Sequence, residues 1–284
     1  MKTWMEIIMP VRNPGDKLIE SVASLTAQTA SGYAVLFSDN LSTSGLDIIE
    51  QARETLRQAG VPTRVVRPPF ELGRVEHWNW AHSQATADWL KPLFVGDLLA
   101  PEYIARVYER VLARPAARII RCELETRWAS GERWVTHAPC PDESLTPAAF
   151  LRHYPHLGNW LGGPVNMAYH QLAWQLAGGY MPQLPACADL QLYLTMILRH
   201  GLETIPVALA IFQLHTQRFS HGIARRRVHG AFELWLILRQ LRNYCLNEKL
   251  PWPANAVWAG VWRQLRTDCW NPFKATIKRR FGLG

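Results

Sequence analysis

The sequence has few cysteines, and their spacing shows no pairing. Five are present, an odd number, and none belongs to a C-x-x-C pair. The pattern excludes the usual zinc-binding arrangements and a disulfide framework, and it favours a reducing, cytosolic location. The cysteines are Cys122, Cys140, Cys187, Cys245 and Cys269.

Long apolar runs are also missing. No stretch reaches the ~18 apolar residues of a transmembrane helix. The opening segment "MKTWMEIIMP" has a short apolar stretch that ends at a proline and lacks a small-residue cleavage site, so it argues against a secretory signal. We expect a cytoplasmic protein, either soluble or peripheral at the inner face of the cytoplasmic membrane.

Internal repeats, low-complexity segments and glycine-rich phosphate loops are absent as well. Because no glycine-rich loop with a following lysine lies near the first apolar run, a nucleotidyltransferase is disfavoured. What is present is a chain of 284 residues with a hydrophobic content of 48%. This length and composition allow a substantial core and exclude a disordered protein.

Positive charge exceeds negative charge. The chain has 31 lysine and arginine residues against 23 aspartate and glutamate residues, a formal net charge of +8. This excess favours polyanionic partners, namely nucleic acid, anionic lipid headgroups or phosphorylated small molecules. No recognised RNA-binding motif accompanies the charge, so nucleic acid is not the partner we expect.

Short β-rich apolar runs alternate with segments of helical periodicity in the first half of the chain. Runs such as "MEIIMP" and "YAVLFS" are bounded by turn residues, as buried strands should be. Alternation of this length predicts an α/β fold with a mostly parallel sheet and helices on both faces. Residues 126–160 are predicted to form an irregular insert or an antiparallel edge. The predicted helices in this half are residues 16–28, 46–59, 74–87 and 101–114.

The second half of the chain ends in a purely helical pattern. Residues 161–215 return to strand and helix units, including a helix that ends at Gly201 in the left-handed cap position. From about residue 225 only helical periodicity is found, predicted for residues 231–249 and 254–270. We therefore divide the chain into an α/β domain at residues 1–224 and a helical extension at residues 225–284.

Polar residues follow the second predicted strand, in the segment "LFSDNLSTSG". Ligands of open α/β sheets bind outside the carboxyl ends of the strands, so Asp39 and Asn40 are candidates for hydrogen bonds to a nucleotide base or ribose. A second interpretation is that Asp39, Asn40 and Ser42 form a turn and cap the following helix.

A lone carboxylate follows a later predicted strand, in "LKPLFVGDLLAP". Asp97 would reach the same edge of the sheet and could coordinate Mg²⁺ or Mn²⁺, since hard cations take carboxylate and phosphate oxygens together. A second interpretation is that Asp97, four residues before Pro101, caps the helix that begins near that proline.

Two more candidates lie further along. Asp189 opens a predicted helix, where a carboxylate is stabilised as the anion, although an ordinary N-cap has the same position. His215 follows a predicted strand, where its imidazole could ligate a metal, contact phosphate or satisfy a local hydrogen bond. Arg218 could pair with phosphate oxygens through its planar guanidinium.

In their order along the chain, these motifs resemble the GT-A glycosyltransferases of family 2, inverting enzymes that use nucleotide-diphospho-sugars. The resemblance covers roughly residues 5–220, and its specificity lies in the order of the motifs. The matching segments are Pro10-Val11-Arg12-Asn13, Gln28-Thr29, Ser38-Asp39-Asn40-Leu41-Ser42-Thr43, Gly73 with Asn79, Asp97-Leu98-Leu99 with Pro101, Gly178-Gly179-Tyr180, Ala188-Asp189 and His215.

The resemblance implies a GT-A fold and a role for each matching residue. Pro10 and Asp39 would line the pocket for the nucleotide base, usually a pyrimidine such as uridine, although guanine and thymine nucleotides are also used. Asp97, with His215, would contact the Mg²⁺ or Mn²⁺ that bridges the diphosphate, and Asp189 would be the general base. Arg218 is expected to contact phosphate or the acceptor. The full nucleotide-binding set is Pro10, Arg12, Asn13, Asp39, Asn40, Gly73 and Asn79.

The implied reaction is inverting transfer of a sugar to a glycan or glycolipid acceptor, in bacterial cell-surface polysaccharide or lipopolysaccharide synthesis. Two departures from the family pattern bear on it. Gly96 stands where a second carboxylate often precedes Asp97, and Ala188 replaces the glutamate before Asp189. With these departures, two alternatives stay open. Metal binding is weakened or lost, or the protein is a catalytically silent module that binds a nucleotide or a glycan.

The C-terminal extension combines basic residues with tryptophans. One interpretation is a pair of interfacial helices on an anionic membrane, which would suit a lipid-linked acceptor. The other is that the aromatic side chains pack on the catalytic domain or a partner chain while the charges face water. The tryptophans concerned are Trp235, Trp252, Trp258, Trp262 and Trp270.

Overall fold

A computed structural model describes residues 3–138, 142–157, 160–214, 227–252 and 254. In this part of the chain a central ten-stranded sheet is packed between helices. The strands are β1 (Met5–Val11), β2 (Tyr33–Asp39), β3 (Thr63–Val66), β4 (Trp89–Pro92), β5 (Leu98–Leu99), β6 (Ile119–Trp128), β7 (Arg133–Thr136), β8 (Ser144–Leu145), β9 (Met167–His170) and β10 (Leu202–Leu214).

The helices follow the strands in the alternation that the sequence predicts. Their bounds agree with the predicted helices of the first half of the chain to within a few residues. The helices are α1 (Lys17–Thr26), α2 (Leu46–Gln58), α3 (Arg74–Ser83), α4 (Tyr103–Ala113), α5 (Pro147–Leu157), α6 (Gln171–Ala177), α7 (Ala188–His200) and α8 (Arg227–Asn247), with a 3₁₀ turn at Pro164–Asn166.

The sheet has the strand order β3-β2-β1-β4-β9-β6-β10-β5, with β7 on β6 and β8 on β10. Strands β1 to β4 pair in parallel, as do β6 and β10, whereas β9 is antiparallel to both β4 and β6. The predicted α/β fold is confirmed. The sheet is mixed: six strands point the same way, and each antiparallel pair includes β5, β7, β8 or β9. The carboxyl ends of β1, β2, β4, β6 and β10 therefore meet at one edge.

Two apolar layers cover the faces of the sheet. Because side chains alternate along a strand, Ile7 and Met9 of β1 enter one cluster with α1, α2 and α4, and Ile8 enters the other. The second cluster contains residues of α3, α5, α7 and α8, including Ile237 and Leu241. The described part of α8 therefore shares its core with the α/β domain.

Residues 126–160 contain both an antiparallel edge and a helix. β6 and β7 form an antiparallel hairpin, which matches the second of the two interpretations of this segment. Helix α5 was not predicted from the sequence. Its buried residues Phe150 and Leu151 belong to the second cluster. The turn residues on both sides of α5 suggested an irregular segment, although a helical pattern begins at Pro147, and proline is favourable as the first residue of a helix.

The ends of the later helices partly match the predictions. α7 ends before Gly201, whose φ of 78° suits glycine, but its ψ of −172° is extended, not left-handed helical. α8 corresponds to the helix predicted at residues 231–249. The helix predicted at 254–270 lies outside the described residues, apart from residue 254. Among the described residues, no helix is long and apolar enough to cross a membrane.

Candidate functional site

The predicted base pocket lies where β1 and β2 end side by side. Pro10 pairs with Ser38, and Val11 pairs with Asp39, in the parallel register. The Asp39 side chain is 0% exposed; its Oδ1 accepts from the Ser42 N–H at 3.0 Å, and its Oδ2 accepts from Arg67 Nε at 2.8 Å. The half-exposed Arg67 guanidinium therefore covers a buried carboxylate at the end of β2.

Asp39 and Ser42 form the turn that one interpretation proposed, but they do not cap α2. The residue before α2 is Gly45, and no side chain bonds its first turn. Gly45 has a φ of 70°, which favours glycine at this position. Capping is thus the wrong part of that interpretation, because the loop spans five more residues after Asn40.

Two asparagines tie the neighbouring loops together. Asn13 Oδ1 accepts from the backbone N–H groups of Thr43 and Ser44, at 2.8 and 3.1 Å. The Asn40 amide donates to the Leu72 carbonyl at 2.8 Å and accepts from the Leu72 N–H at 3.0 Å. Both side chains hold the loops after β1, β2 and β3 in one arrangement, and a direct contact of either with nucleotide stays a prediction.

The outer rim of this pocket is charged. Arg12 Nη2 donates to Glu71 Oε2 at 2.6 Å, and both side chains are about half exposed. Gly73 lies two residues further on, directly before α3. The structure thus brings the predicted nucleotide-binding residues Pro10, Arg12 and Gly73 to the same group of loops.

Asn79, predicted with the nucleotide pocket, contacts the Gly178-Gly179-Tyr180 turn. Its Oδ1 accepts from the Tyr180 N–H at 2.8 Å, and its Nδ2 donates to the Tyr180 carbonyl at 2.7 Å. A Cβ on Gly179 would lie 2.6 Å from Asn79 Oδ1, so glycine permits the close approach. Two motifs of the resemblance therefore meet as one structural unit.

Trp78 joins the segments that carry Asp97 and Asp189. Its ring stacks on Phe94 at 4.7 Å between centroids and meets Tyr180 edge-on at 5.5 Å. The Arg74 guanidinium lies 4.6 Å from the centre of the same ring. Because Arg74 also interacts electrostatically with Asp189, α3 connects the two predicted acidic positions.

Asp97 lies in a buried turn and does not cap α4. The side chain is 1% exposed, and its N–H donates to the Phe94 carbonyl at 2.9 Å. β5 follows, and α4 begins only at Tyr103, without a side-chain cap. The interpretation of Asp97 as the cap of this helix is wrong, because β5 separates the two.

Lys91 is a buried cation close to Asp97. Its ammonium group is 0% exposed and donates to the carbonyls of Pro92, Pro164 and Met167, at 3.0, 3.1 and 3.2 Å, and to that of Val165. Burial lowers the pKa of Lys91 to about 7, and the negative charge of Asp97 opposes that shift. A lysine within the apolar run "WLKPLF" is the sequence signal that could have indicated these carbonyl contacts, because a buried lysine needs acceptors for its ammonium group.

For a divalent cation, the turn before β5 offers one carboxylate, that of Asp97. The described residues contain no group of three or more His, Cys, Asp or Glu side chains that could hold a metal. In nucleotide sites Mg²⁺ commonly takes one or two carboxylates and fills its sphere with phosphate and water, so Asp97 fits a cation that arrives with a diphosphate. Ile211 of β10 pairs with Leu98, and this strand leads towards His215. His215 and Arg218 lie outside the described residues.

Asp189 is the second residue of α7. Its side chain is half-buried, and Oδ1 accepts from the Leu190 N–H at 2.8 Å. Burial raises the pKa of the Asp189 carboxyl, while the Leu190 N–H and the charge of Arg74 counteract this. The N-cap is Cys187, so the interpretation of Asp189 as an ordinary N-cap is wrong. A carboxylate with a raised pKa is a stronger base.

Several residues of the site were missed from the sequence. Arg67 and Arg74 belong to no motif, because their partners lie far away along the chain and only the folded structure brings them together. Two of the aromatic side chains around Asp189, Tyr154 and Tyr193, were missed for the same reason, whereas Tyr180 belongs to the Gly178-Gly179-Tyr180 motif. Its electrostatic neighbours of this kind are Tyr154, Tyr180 and Tyr193.

The chain matches known proteins in sequence. The sequence model described as glycosyl transferase family 2 matches residues 6–153. An uncharacterized glycosyltransferase of Haemophilus influenzae is 24% identical over 222 residues, which are 76% of this chain and 70% of that protein.

Solved structures share the fold at low sequence identity. Residues 1–349 of S. aureus TarS, in complex with UDP-GlcNAc, align with a TM-score of 0.67 and 14% identity over 94% of this chain and 73% of that one. The mannosyltransferase PcManGT from Pyrobaculum calidifontis, in complex with GDP-Man and Mn²⁺, aligns with a TM-score of 0.62 and 14% identity over 100% of this chain and 81% of that one. Because the family's sequence model covers more than half of the chain, this protein belongs to glycosyltransferase family 2, as a glycosyltransferase with the GT-A fold.

Proposed function

We propose that this protein is an inverting glycosyltransferase. It moves a sugar from a nucleotide diphosphate donor to a hydroxyl of a glycan or glycolipid acceptor, in the synthesis of cell-surface polysaccharide or lipopolysaccharide. The observation that carries the proposal is the environment of Asp189, a half-buried carboxyl of raised pKa at the start of α7 that interacts electrostatically with the Arg74 guanidinium. An acceptor alcohol is too weak an acid to attack at neutral pH without such a base.

In the proposed transfer step, one bond forms, one bond breaks and one proton moves. The acceptor oxygen forms a bond to the anomeric carbon as the bond from that carbon to the diphosphate breaks, and the hydroxyl proton moves to Asp189. Attack from the face opposite the diphosphate inverts the anomeric centre. The leaving diphosphate carries the developing negative charge, which positive groups or a cation must stabilise.

The donor is proposed to bind at the ends of β1 and β2. There Pro10 lies beside the Ser38–Asp39 segment, and Asp39 would accept a hydrogen bond from a ring N–H of the base. Since Arg67 covers the Asp39 carboxylate, the base and this guanidinium would share it. The nucleotide-sugars bound to TarS and PcManGT support this class of donor.

A divalent cation is proposed to accompany the donor. Asp97 would hold Mg²⁺ or Mn²⁺ together with His215 and the diphosphate oxygens, and Arg218 would contact phosphate or the acceptor. The cation would supply charge stabilisation for the leaving group. Support comes from the position of Asp97 at the strand end and from the Mn²⁺ bound to PcManGT.

The C-terminal extension, residues 225–284, is proposed to bring the enzyme to an anionic membrane surface from the cytoplasmic side. The described part of α8 has two kinds of surface. Ile237 and Leu241 are buried, whereas Trp235 is 42% exposed and lies 5.7 Å from the Arg239 guanidinium. An exposed tryptophan beside a cation suits the headgroup region.

A donor screen with product analysis tests the proposal. The protein is incubated with UDP-, GDP- and dTDP-sugars, with and without Mn²⁺, and with a mixture of bacterial glycan and glycolipid acceptors. We expect one class of donor to release its nucleoside diphosphate, and NMR of the product to show an inverted anomeric centre. A product with the donor's anomeric configuration contradicts the proposal, as does nucleotide binding without transfer from any donor.

A further inference from the structure

We propose that Glu233 of α8 is a positioning residue for Asp189. Its carboxylate fixes the turn that begins α7, so that a residue of the C-terminal helix takes part in orienting the base. The inference rests on the proposed role of Asp189 as the general base.

The contact is direct and buried. Glu233 is 5% exposed, and its Oε2 accepts from the backbone N–H groups of Ala186 and Cys187, both at 2.9 Å. These two N–H groups lie immediately before α7. No side chain of the turn itself caps this helix. The Cys187 N–H also donates to the Leu184 carbonyl, at 3.1 Å. A carboxylate near a helix N-terminus is stabilised by the helix dipole.

The same turn is held from its other side by α3. Arg74 donates to the carbonyl of Pro185, the residue before Ala186. Two side chains of opposite charge therefore hold the segment before Asp189 as a clamp. Arg74 of α3 binds a carbonyl of this segment, and Glu233 of α8 binds two of its N–H groups. Since a displacement of about 1 Å can cost on the order of 10²-fold in rate, this clamp is well placed to affect transfer.

The carboxylate of Glu233 also balances the charge around the base. Arg74 interacts electrostatically with both Asp189 and Glu233, so the two acids share one cation. Among the described residues, four other titratable groups interact electrostatically with Asp189, namely Cys187, Tyr154, Tyr180 and Tyr193. Burial raises the pKa of each above its ordinary value, so these four are neutral at pH 7. Glu233 is therefore the second acid near Arg74, in a chain that has alanine at position 188.

Removing the charge of Glu233 would leave Arg74 to act on Asp189 alone and would favour the ionised base. A merely structural role for Glu233 would lower the melting temperature and leave the titration of Asp189 unchanged. The titration therefore separates positioning and charge balance from simple packing.

The test uses Glu233→Gln and Glu233→Ala in the full chain, with Glu248→Gln as the matched control. Glu248 is exposed, in the turn after α8. Gln keeps an acceptor oxygen and nearly the same volume, so the test does not depend on the Ala variant. Two measurements are made: the pH profile of kcat with the donor found by the screen, and ¹³C NMR titration of aspartate carboxyls, with the Asp189 signal assigned by its loss in Asp189→Asn.

For Glu233→Gln we expect the acidic limb of the kcat profile and the titration of Asp189 to move to lower pH. We also expect kcat to fall roughly tenfold while the KM for donor stays within twofold, and Glu233→Ala to lose up to about 10²-fold. Hydrogen exchange at residues 186–191 should be faster in Glu233→Ala. Wild-type kcat, titration and exchange in both variants would overturn the inference. If the wild type transfers no sugar, the proposed function fails, and the titration and exchange still decide whether Glu233 positions Asp189.

Discussion

Asp189 illustrates, at the scale of one residue, a conflict between stability and reactivity. Its folded-state pKa is raised above the ordinary value, so its contribution to stability is fully present only below that ordinary pKa. The contribution is lost as the pH rises through the raised pKa, because ionisation then favours the unfolded chain. At neutral pH the anion is therefore destabilising, and the same raised pKa makes it a better base.

Replacing Asp189 by Asn should thus raise the melting temperature at pH 7 while transfer falls by about 10²- to 10⁴-fold, the usual contribution of a general base. Asn can still accept from the Leu190 N–H, so the local hydrogen bond is kept. Thermal melts and transfer rates are measured on the same preparations, with the exposed Glu109→Gln as control. Full activity in Asp189→Asn would remove this residue from the mechanism.

From the sequence, roles could be predicted only for residues that belong to the ordered series of family motifs. Asp39, Asp97 and Asp189 were selected in this way. Asp39 ends β2, Asp97 lies directly before β5 and Asp189 is the second residue of α7, and their roles stay predictions. The contacts of Lys91 and Glu233 were not predictable, because four carbonyls converge on Lys91 and two N–H groups on Glu233 from distant parts of the chain.

At the scale of elements, α3 organises the site. From its first turn to its last it contacts the α7 turn, the segment before Asp97 and the end of β2. His77 Nε2 lies 2.8 Å from Ser38 Oγ, and His82 Nδ1 lies 2.7 Å from the Trp78 carbonyl. Since a carbonyl only accepts, His82 carries its proton on Nδ1, and Nε2 accepts from the Tyr169 hydroxyl at 2.8 Å.

The two histidines of α3 predict acid sensitivity. Burial lowers the pKa of both His77 and His82 to about 4, from 6.5. Their stabilising contribution is present above pH 6.5 and is lost as the pH falls through 4, because the unfolded chain binds the protons first. Each shift corresponds to on the order of 3 kcal/mol.

We expect the urea midpoint to fall between pH 7 and pH 4.5, and less steeply in His82→Gln than in the wild type. Gln51→Ala, at an exposed position of α2 that does not titrate, serves as the control and should keep the wild-type slope. If His82→Gln lost stability with pH as steeply as the wild type, His82 would not titrate in the folded protein as described.

The elements themselves were predicted unevenly. Buried strands such as β1 were evident as short apolar runs bounded by turn residues. The amphipathic helices were evident because their apolar residues recur with a period of 3.6. α5 was missed, and the cap assignments were wrong for α2, α4 and α7. Caps depend on one or two dihedral angles and on partners from other loops, which periodicity does not report.

At the scale of the whole molecule, a single carboxylate predicts that metal and nucleotide bind together. Mn²⁺ alone should leave the melting temperature unchanged, because Asp97 is the one carboxylate of the described residues that we assign to the cation. Nucleoside diphosphate with Mn²⁺, at a concentration 100 times its Kd, should stabilise the protein by about 2.7 kcal/mol, and the nucleotide alone at the same concentration should stabilise it less.

Thermal shift with UDP and GDP, each with and without Mn²⁺, measures this coupling. Asp97→Asn should keep the shift from nucleotide and lose the additional shift from Mn²⁺, whereas the exposed Asp47→Asn should keep both. Stabilisation by Mn²⁺ alone, or an unchanged additional shift in Asp97→Asn, would contradict the metal role.

The position of β9 in the sheet has a consequence for synthesis of the chain. This strand, Met167–His170, lies between β4 and β6 and is the only link between the two parallel halves of the described sheet. A ribosome has therefore made both neighbours before the strand between them exists. Until β9 emerges, β4 and β6 present unpaired edges, which are prone to aggregation. The pairing at the middle of the sheet therefore forms late. A nascent chain that ends at residue 153 lacks β9, so β4 and β6 are not yet joined in one sheet.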